Sequence, residues 1–183
     1  MEKLQYISSG NSIEEHISNI STACKHGVKW VQLRLKKYSE KEIKEAALEV
    51  KSITKRHNVT FILNDYLHIA KELNLDGVHL GKNDFSVLPA KEQLVKNKII
   101  GATANTFEDI VNAYNQGASY IGLGPFRFTT TKENLSPILG IEGYRNILSE
   151  VNTNNIKLPV YAIGGIQLEY IPPLMETGIN GIA

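Results

Sequence analysis

The segment Gly27-Val28-Lys29-Trp30-Val31-Gln32-Leu33-Arg34-Leu35-Lys36 carries the pattern that decides the fold. A glycine tolerates the left-handed backbone that ends a helix, two residues follow as a link, and an apolar run then begins at Trp30. The same arrangement returns at Asn74 before Gly77-Val78, at Gly117 before Tyr120-Ile121 and at Gly178 before Gly181-Ile182. On one side of the quoted stretch Ile13, Ile17, Ile20 and Cys24 recur at helical spacing; on the other Ile43, Ala46, Ala47, Val50 and Ile53 do so. Strands alternating with amphipathic helices through short loops predict a parallel sheet. Strands are expected at Leu4–Ser8, Trp30–Leu35, Thr60–Asn64, Gly77–Leu80, Ile99–Ala102, Tyr120–Gly124 and Val160–Ile163, with a last one beginning at Gly181. Eight such units fit an α/β protein of the (β/α)8 TIM-barrel type, a single domain over residues 1–183. An open doubly wound sheet would want a glycine-rich turn after the first strand, and Ser8-Ser9-Gly10-Asn11-Ser12 matches that poorly. Because the sequence ends at Ala183 with the eighth strand barely begun, the final strand and its helix are expected to be truncated, the natural protein continuing beyond this point.

Composition excludes several classes of function. A formal net charge of +1 offers no basic surplus for a polyanion, so nucleic acid is not an expected partner. No apolar run reaches the roughly 18 residues that a membrane span needs, and Met1-Glu2-Lys3-Leu4 does not open a signal peptide. A cytoplasmic protein without a membrane partner is expected, and a homo-oligomer is compatible with the sequence. Cys24 is the only cysteine and lies on an apolar helical stripe, which reads as a core position rather than a nucleophile.

In a barrel the chemistry gathers where strands run into the following helices. At the second strand Gln32, Arg34 and Lys36 alternate and therefore share one face. Inward positions of a barrel strand are normally apolar, so two cations and an amide there point to an anionic ligand, although a solvated strand end would read the same. Asn64-Asp65 ends the third strand and Gly81-Lys82-Asn83-Asp84 follows the fourth. Asp65 and Asp84 suit the oxygen coordination of Mg²⁺ together with phosphate oxygens; each could instead cap a helix. His79 reads equally as a contact to a substrate ring and as a hydrogen-bonded core histidine. After the sixth strand, Gly122-Leu123-Gly124-Pro125-Phe126-Arg127-Phe128-Thr129-Thr130-Thr131-Lys132 combines glycines with hydroxyls and a cation suited to anionic oxygens. Gly164-Gly165 follows the seventh strand, where many barrels set a phosphate against bare amides. Together these groups predict small phosphorylated substrates.

Taken in order, the motifs resemble those of the thiamine phosphate synthase family. Gln32, Arg34 and Lys36 match its Gln-x-Arg-x-Lys; Asn64 and Asp65 its Asn-Asp; His79, Gly81 and Asp84 its His-x-Gly-x-x-Asp. Gly122, Gly124 and Pro125 match its Gly-x-Gly-Pro, Thr129, Thr131 and Lys132 its Thr-x-Thr-Lys, and Gly164 to Ile166 its Gly-Gly-Ile. The resemblance implies a Mg²⁺-dependent transferase of thiamine biosynthesis that couples a hydroxymethylpyrimidine diphosphate with a thiazole phosphate and releases pyrophosphate. It implies that Asp65 and Asp84 hold Mg²⁺ and that Arg34, Lys36, Asn64 and Lys132 hold pyrophosphate, with Arg34, Lys36 and Lys132 acting in catalysis. By the same resemblance Gln32 touches the pyrimidine, Thr129, Thr131 and Gly165 face the thiazole phosphate with Gly164 beside them, and His79 and Thr103 complete the substrate contacts. Thr103 stands where the family often has Ser and keeps the hydroxyl; Tyr66 and Lys82 depart from the family's Arg and Gln. No protein nucleophile is required, in keeping with the absence of a Ser/His/Asp or Cys/His pattern. Two rival readings are a thiazole tautomerase with the same barrel, which relies on a histidine after strand five where this chain has Asn105, and a non-catalytic protein that binds thiamine precursors.

Overall fold

The computed structural model describes residues 1–82, 86–129 and 136–183. It consists of two compact units, Met1–Ile100 and Gly101–Ala183. The first runs β1 (Tyr6–Ile7), α1 (Ile13–Lys25), β2 (Trp30–Leu33), α2 (Glu40–His57), β3 (Thr60–Asn64), α3 (Leu67–Glu72), β4 (Gly77–Leu80) and α4 (Val87–Gln93). Strand β5 (Ile99–Ala104) leads into the second, with α5 (Phe107–Asn115), β6 (Tyr120–Leu123), α6 (Gly140–Thr153), β7 (Val160–Ala162), a 3-10 turn at Leu168–Tyr170, α7 (Ile171–Met175) and β8 (Gly181–Ile182). Within each unit the strands pair in parallel with their sequence neighbours, as in Val31↔Phe61, Asn64↔His79, Thr103↔Gly122 and Ala162↔Ile182. This alternation of parallel strands and helices is that of the (β/α)8 class.

The loops entering the strands follow from local chemistry. Gly27, Asn74, Gly117 and Gly178 all have positive φ, between 48° and 93°. At the first three, the next amide reaches back to the helix: Val28 N–H donates to Ala23 O, Leu75 N–H to Ala70 O and Ala118 N–H to Ala113 O. That closes the Schellman pattern and frees the chain to start a strand two residues later. Asn58, at φ 53°, does the same before β3 with a single linking residue.

The expected helical stripes are the buried faces. Ile43, Ala46, Ala47, Val50 and Ile53 are buried on α2, and Ile17, Ile20 and Cys24 on α1, while Ile13 lies half-buried at the helix start. Burial pushes the Cys24 thiol above its ordinary pKa, in line with a core position. Tyr120 and Tyr161 pack edge to face, ring centroids 5.8 Å apart, inside the second unit.

β3 and β4 have the expected bounds, and the other strand ends differ from expectation by at most two residues. β2 stops at Leu33 rather than Leu35, because Arg34 N–H is accepted by the Ser8 side-chain Oγ at 3.0 Å instead of continuing a backbone ladder. β5 continues to Ala104, two residues past Ala102, since β6 offers it partners through Ala104↔Leu123.

Candidate active site

In the first unit the carboxyl-terminal ends of β2, β3 and β4 bring the predicted polar groups together. Gln32, at 1 % exposure, donates through Nε2 to Asn64 Oδ1 at 3.1 Å. The amide oxygen of Gln32, Oε1, is buried and meets no partner among the described residues. Such an atom costs about 1–3 kcal/mol when left unpaired, so it marks a place where a ligand donor belongs.

Asp65 follows directly, with φ 69°. An aspartate in the left-handed region is strained, and the strain is found where a site dictates the backbone. Its amide donates to His79 O at 2.9 Å, tying the end of β3 to β4. The carboxylate is split between two tasks: Oδ2 pairs with Lys36 Nζ, while Oδ1 is buried without a partner among the described residues. Asp65 is not the cap of the next helix; that position is Tyr66, which makes no side-chain cap bond. The helix-cap reading of this aspartate is thereby set aside.

Arg34 lies half-buried just past β2, and His79 is buried in β4 at 5 % exposure, paired in register with Asn64. Asp84 lies outside the described residues, as do Thr131 and Lys132. Among the described residues there is no cluster of three or more His, Cys, Asp or Glu side chains able to enclose a metal. What Asp65 offers a cation is therefore one buried, unengaged carboxylate oxygen beside an ammonium group. That is the donor type Mg²⁺ takes when most of its shell comes from phosphate and water.

In the second unit the segment after β6 lies along the turn after β7. Phe126 N–H donates to Ile163 O at 2.9 Å and Arg127 N–H to Gly164 O at 3.1 Å. Gly164 and Gly165 both take positive φ, 85° and 70°. A side chain at Gly165 would come within 2.8 Å of Phe128 O, and one at Gly164 within 2.9 Å of the Pro125 ring. Only glycine fits here on both conformational and steric grounds. A cavity of about 420 Å³ opens beside this turn, lined by Arg127, Phe128, Gly165, Ile166 and Gln167. The Arg127 guanidinium is held 4.6 Å above the Tyr170 ring and hydrogen-bonds its hydroxyl. Thr129 is half-buried after this segment, and Thr103 is half-buried in β5 opposite Gly122.

A larger cavity of about 700 Å³ lies at the other ends of β3 and β4, among Lys29, Lys51, Lys55, Asn58 and Asp76. Its polar groups serve the scaffold: Lys51 Nζ donates to Leu73 O at 2.7 Å, and Asp76 Oδ2 accepts from Phe61 N–H at 2.8 Å. The predicted chemistry lies elsewhere.

Two groups near Arg34 escaped the sequence reading. Ser8 and His16 are both buried and hydrogen-bond each other at 2.8 Å. The available signal was spacing, because His16 falls between Ile13 and Ile20 on the buried stripe of α1.

Comparison with known proteins accords with this arrangement. The family model described as thiamine monophosphate synthase matches residues 4–183. The thiamine-phosphate synthase of Flavobacterium johnsoniae is 54 % identical over 99 % of this chain and 85 % of its own length. That of Bacteroides fragilis is 48 % identical over 100 % of this chain and 90 % of its own length. In structure, the thiamine phosphate pyrophosphorylase from Pyrococcus furiosus superposes with a TM-score of 0.84 at 29 % identity, covering 99 % of this chain and 84 % of that one. A family match across nearly every residue, on a TIM-barrel-like α/β fold, means that this chain belongs to the thiamine monophosphate synthase family.

Proposed function

We propose that this chain joins a hydroxymethylpyrimidine diphosphate to a thiazole phosphate, giving thiamine phosphate and pyrophosphate. The thiazole ring nitrogen forms a bond to the pyrimidine methylene carbon, the bond from that carbon to the diphosphate oxygen breaks, and its electron pair leaves with pyrophosphate. The observation that carries this reading is that two buried oxygens without a partner among the described residues, Gln32 Oε1 and Asp65 Oδ1, lie near the cation Lys36, which is paired with Asp65 Oδ2. An amide oxygen suits the donor edge of an aminopyrimidine, and a carboxylate oxygen suits a hard cation riding on a diphosphate.

In this proposal Gln32, oriented by Asn64, fixes the pyrimidine, and Arg34 and Lys36 take the diphosphate oxygens. Arg34 can grip them bidentately while Lys36 supplies a point charge. Asp65, together with Asp84, would hold Mg²⁺, which when bound supplies positive charge to the leaving group. Lys132 belongs to the same pyrophosphate-binding set, and His79 and Thr103 to the substrate contacts. Thr129 and Thr131 would meet the thiazole phosphate with the amides of Gly164 and Gly165, since glycines at positive φ let a phosphate approach bare backbone. The reaction needs charge stabilisation and alignment rather than a protein nucleophile. The single-domain organisation and a cytoplasmic location with small phosphorylated partners are part of the same proposal.

The tautomerase reading loses ground to Asn105. Its side-chain amide donates to Gly124 O at 3.1 Å and Pro137 O at 2.9 Å, so it is committed to the scaffold. Incubating the purified chain with both substrates and Mg²⁺, then measuring pyrophosphate and thiamine phosphate, tests the proposal directly. Stoichiometric formation of the two products is expected; binding of both substrates without either product would leave a non-catalytic precursor-binding protein.

A further inference from the structure

Ser8 closes β1 in an unusual way. Its amide donates to Gln32 O at 2.8 Å, the ordinary parallel rung, but the next rung is made by its side chain: Arg34 N–H donates to Ser8 Oγ at 3.0 Å. A carbonyl would normally fill that place. The hydroxyl therefore lets the chain turn away at Ser9-Gly10 while β2 keeps a fixed partner one residue beyond its end. His16, on the buried face of α1, holds that hydroxyl through Nδ1 at 2.8 Å. Whichever tautomer the ring adopts, one of the two groups donates and the hydroxyl oxygen is held in place. Ser8 is 6 % exposed and His16 8 % exposed, so water does not compete for either.

We infer that Ser8 and His16 are positioning residues that fix the backbone of Arg34, and through it the guanidinium that meets the diphosphate. This inference rests on the proposed role of Arg34. Neither side chain meets substrate; both act through the Arg34 amide. Burial also holds the imidazole below its ordinary pKa, with the Arg34 charge acting in the same direction, which keeps the ring neutral beside a cation. A misplaced guanidinium loses bidentate contact with phosphate oxygens, and such contacts are sensitive to displacements on the order of 1 Å.

The test uses inorganic pyrophosphate with Mg²⁺ as a calorimetric probe, and KM for each substrate. Ser8→Ala and His16→Leu should each weaken pyrophosphate binding and raise KM for the pyrimidine diphosphate by about tenfold, the worth of one charge-assisted hydrogen bond. KM for the thiazole phosphate should stay within about twofold. Ser8→Thr, which keeps the hydroxyl, and His16→Asn, whose amide can stand where Nδ1 stood, should recover most of the loss. Combining Ser8→Ala with His16→Leu should be no worse than either alone, because both break one chain of bonds. Should Ser8→Ala fail to fold by circular dichroism, Ser8→Cys replaces it, as sulfur accepts only weak hydrogen bonds. Unchanged pyrophosphate affinity in the folded variants would overturn the inference, and so would an equal rise in both KM values. A wild-type chain that binds pyrophosphate yet forms no thiamine phosphate would sink the proposed reaction while leaving this positioning role to be decided by the same titrations. If the wild type does not bind pyrophosphate, both fall.

Discussion

Asp65 concentrates the tension between stability and chemistry. Its φ of 69° is one that a non-glycine residue adopts at a cost of roughly 1–2 kcal/mol, and its buried Oδ1 has no partner among the described residues. Replacing it with glycine should therefore leave melting temperature unchanged or raised, while turnover falls by about 10²–10³, the size typical for loss of one electrostatic contact to a developing charge. A steady-state assay beside a thermal melt checks both halves; full activity in Asp65→Gly would remove it from the metal-binding role. His16 gives a pH signature. Its folded pKa lies below the ordinary value of 6.5, chiefly through burial, with Gly10 and Glu15 acting upward and Arg34 downward. Above that ordinary value both folded and unfolded states are neutral. As pH falls through it, the unfolded chain takes up the proton first, so stability declines until pH drops below the folded pKa. Denaturant melts of the wild type should show this loss starting as pH drops below about 6.5, and His16→Asn should lack that component.

Capping chemistry and helix exits decide where the elements begin and end. Thr106 accepts from Asp109 N–H at 3.2 Å, and the Asp109 carboxylate returns a bond to Thr106 N–H at the same distance, closing a capping box on α5. Thr106→Ala should cost about 1 kcal/mol, lowering the melting temperature by roughly 2–4 °C without altering substrate affinity. Such local rules made most of the architecture legible. Glycine or asparagine three positions ahead of an apolar run announced β2, β4, β6 and β8, because positive φ is a property of the residue itself. Apolar spacing announced α1 and α2 for the same reason. The exact ends of strands were not readable: β2 stops at Leu33 because Ser8, 26 positions away from Arg34, supplies its hydroxyl. Likewise the polar strand-end residues suggested the phosphate-binding face proposed here, but which of them touch could not be read from spacing. The Gln32–Asn64 and Lys36–Asp65 pairs arise from strand neighbourhood, a tertiary fact. The roles proposed for Asp84, Thr131 and Lys132, which lie outside the described residues, rest on residue chemistry and resemblance.

Folding and ligand binding should be coupled through the first unit. The unsatisfied oxygens of Gln32 and Asp65 and the neighbouring Lys36 lie on β2, β3 and the segments just beyond them. A ligand that fills this cluster binds only the folded state, since unfolding separates residues that lie more than 30 positions apart, as Gln32 and Asn64 do. Linkage then requires stabilisation by RT ln(1 + [L]/Kd), about 2.7 kcal/mol at a ligand concentration of 100 Kd. For a domain of this size that corresponds to a rise in melting temperature of roughly 5–11 °C. Pyrophosphate with Mg²⁺ should give this shift, and either component alone should give much less, because Asp65 would hold the cation that supplies positive charge to the diphosphate. In Asp65→Ala the cooperative part of the shift should vanish while Arg34 and Lys36 still provide a small Mg²⁺-independent one. In Arg34→Met the reverse is expected, with Mg²⁺ still required for whatever shift remains. A full shift with pyrophosphate and chelator, or an undiminished one in Asp65→Ala, would show that the carboxylate does not hold the ion and that the cations alone bind the diphosphate.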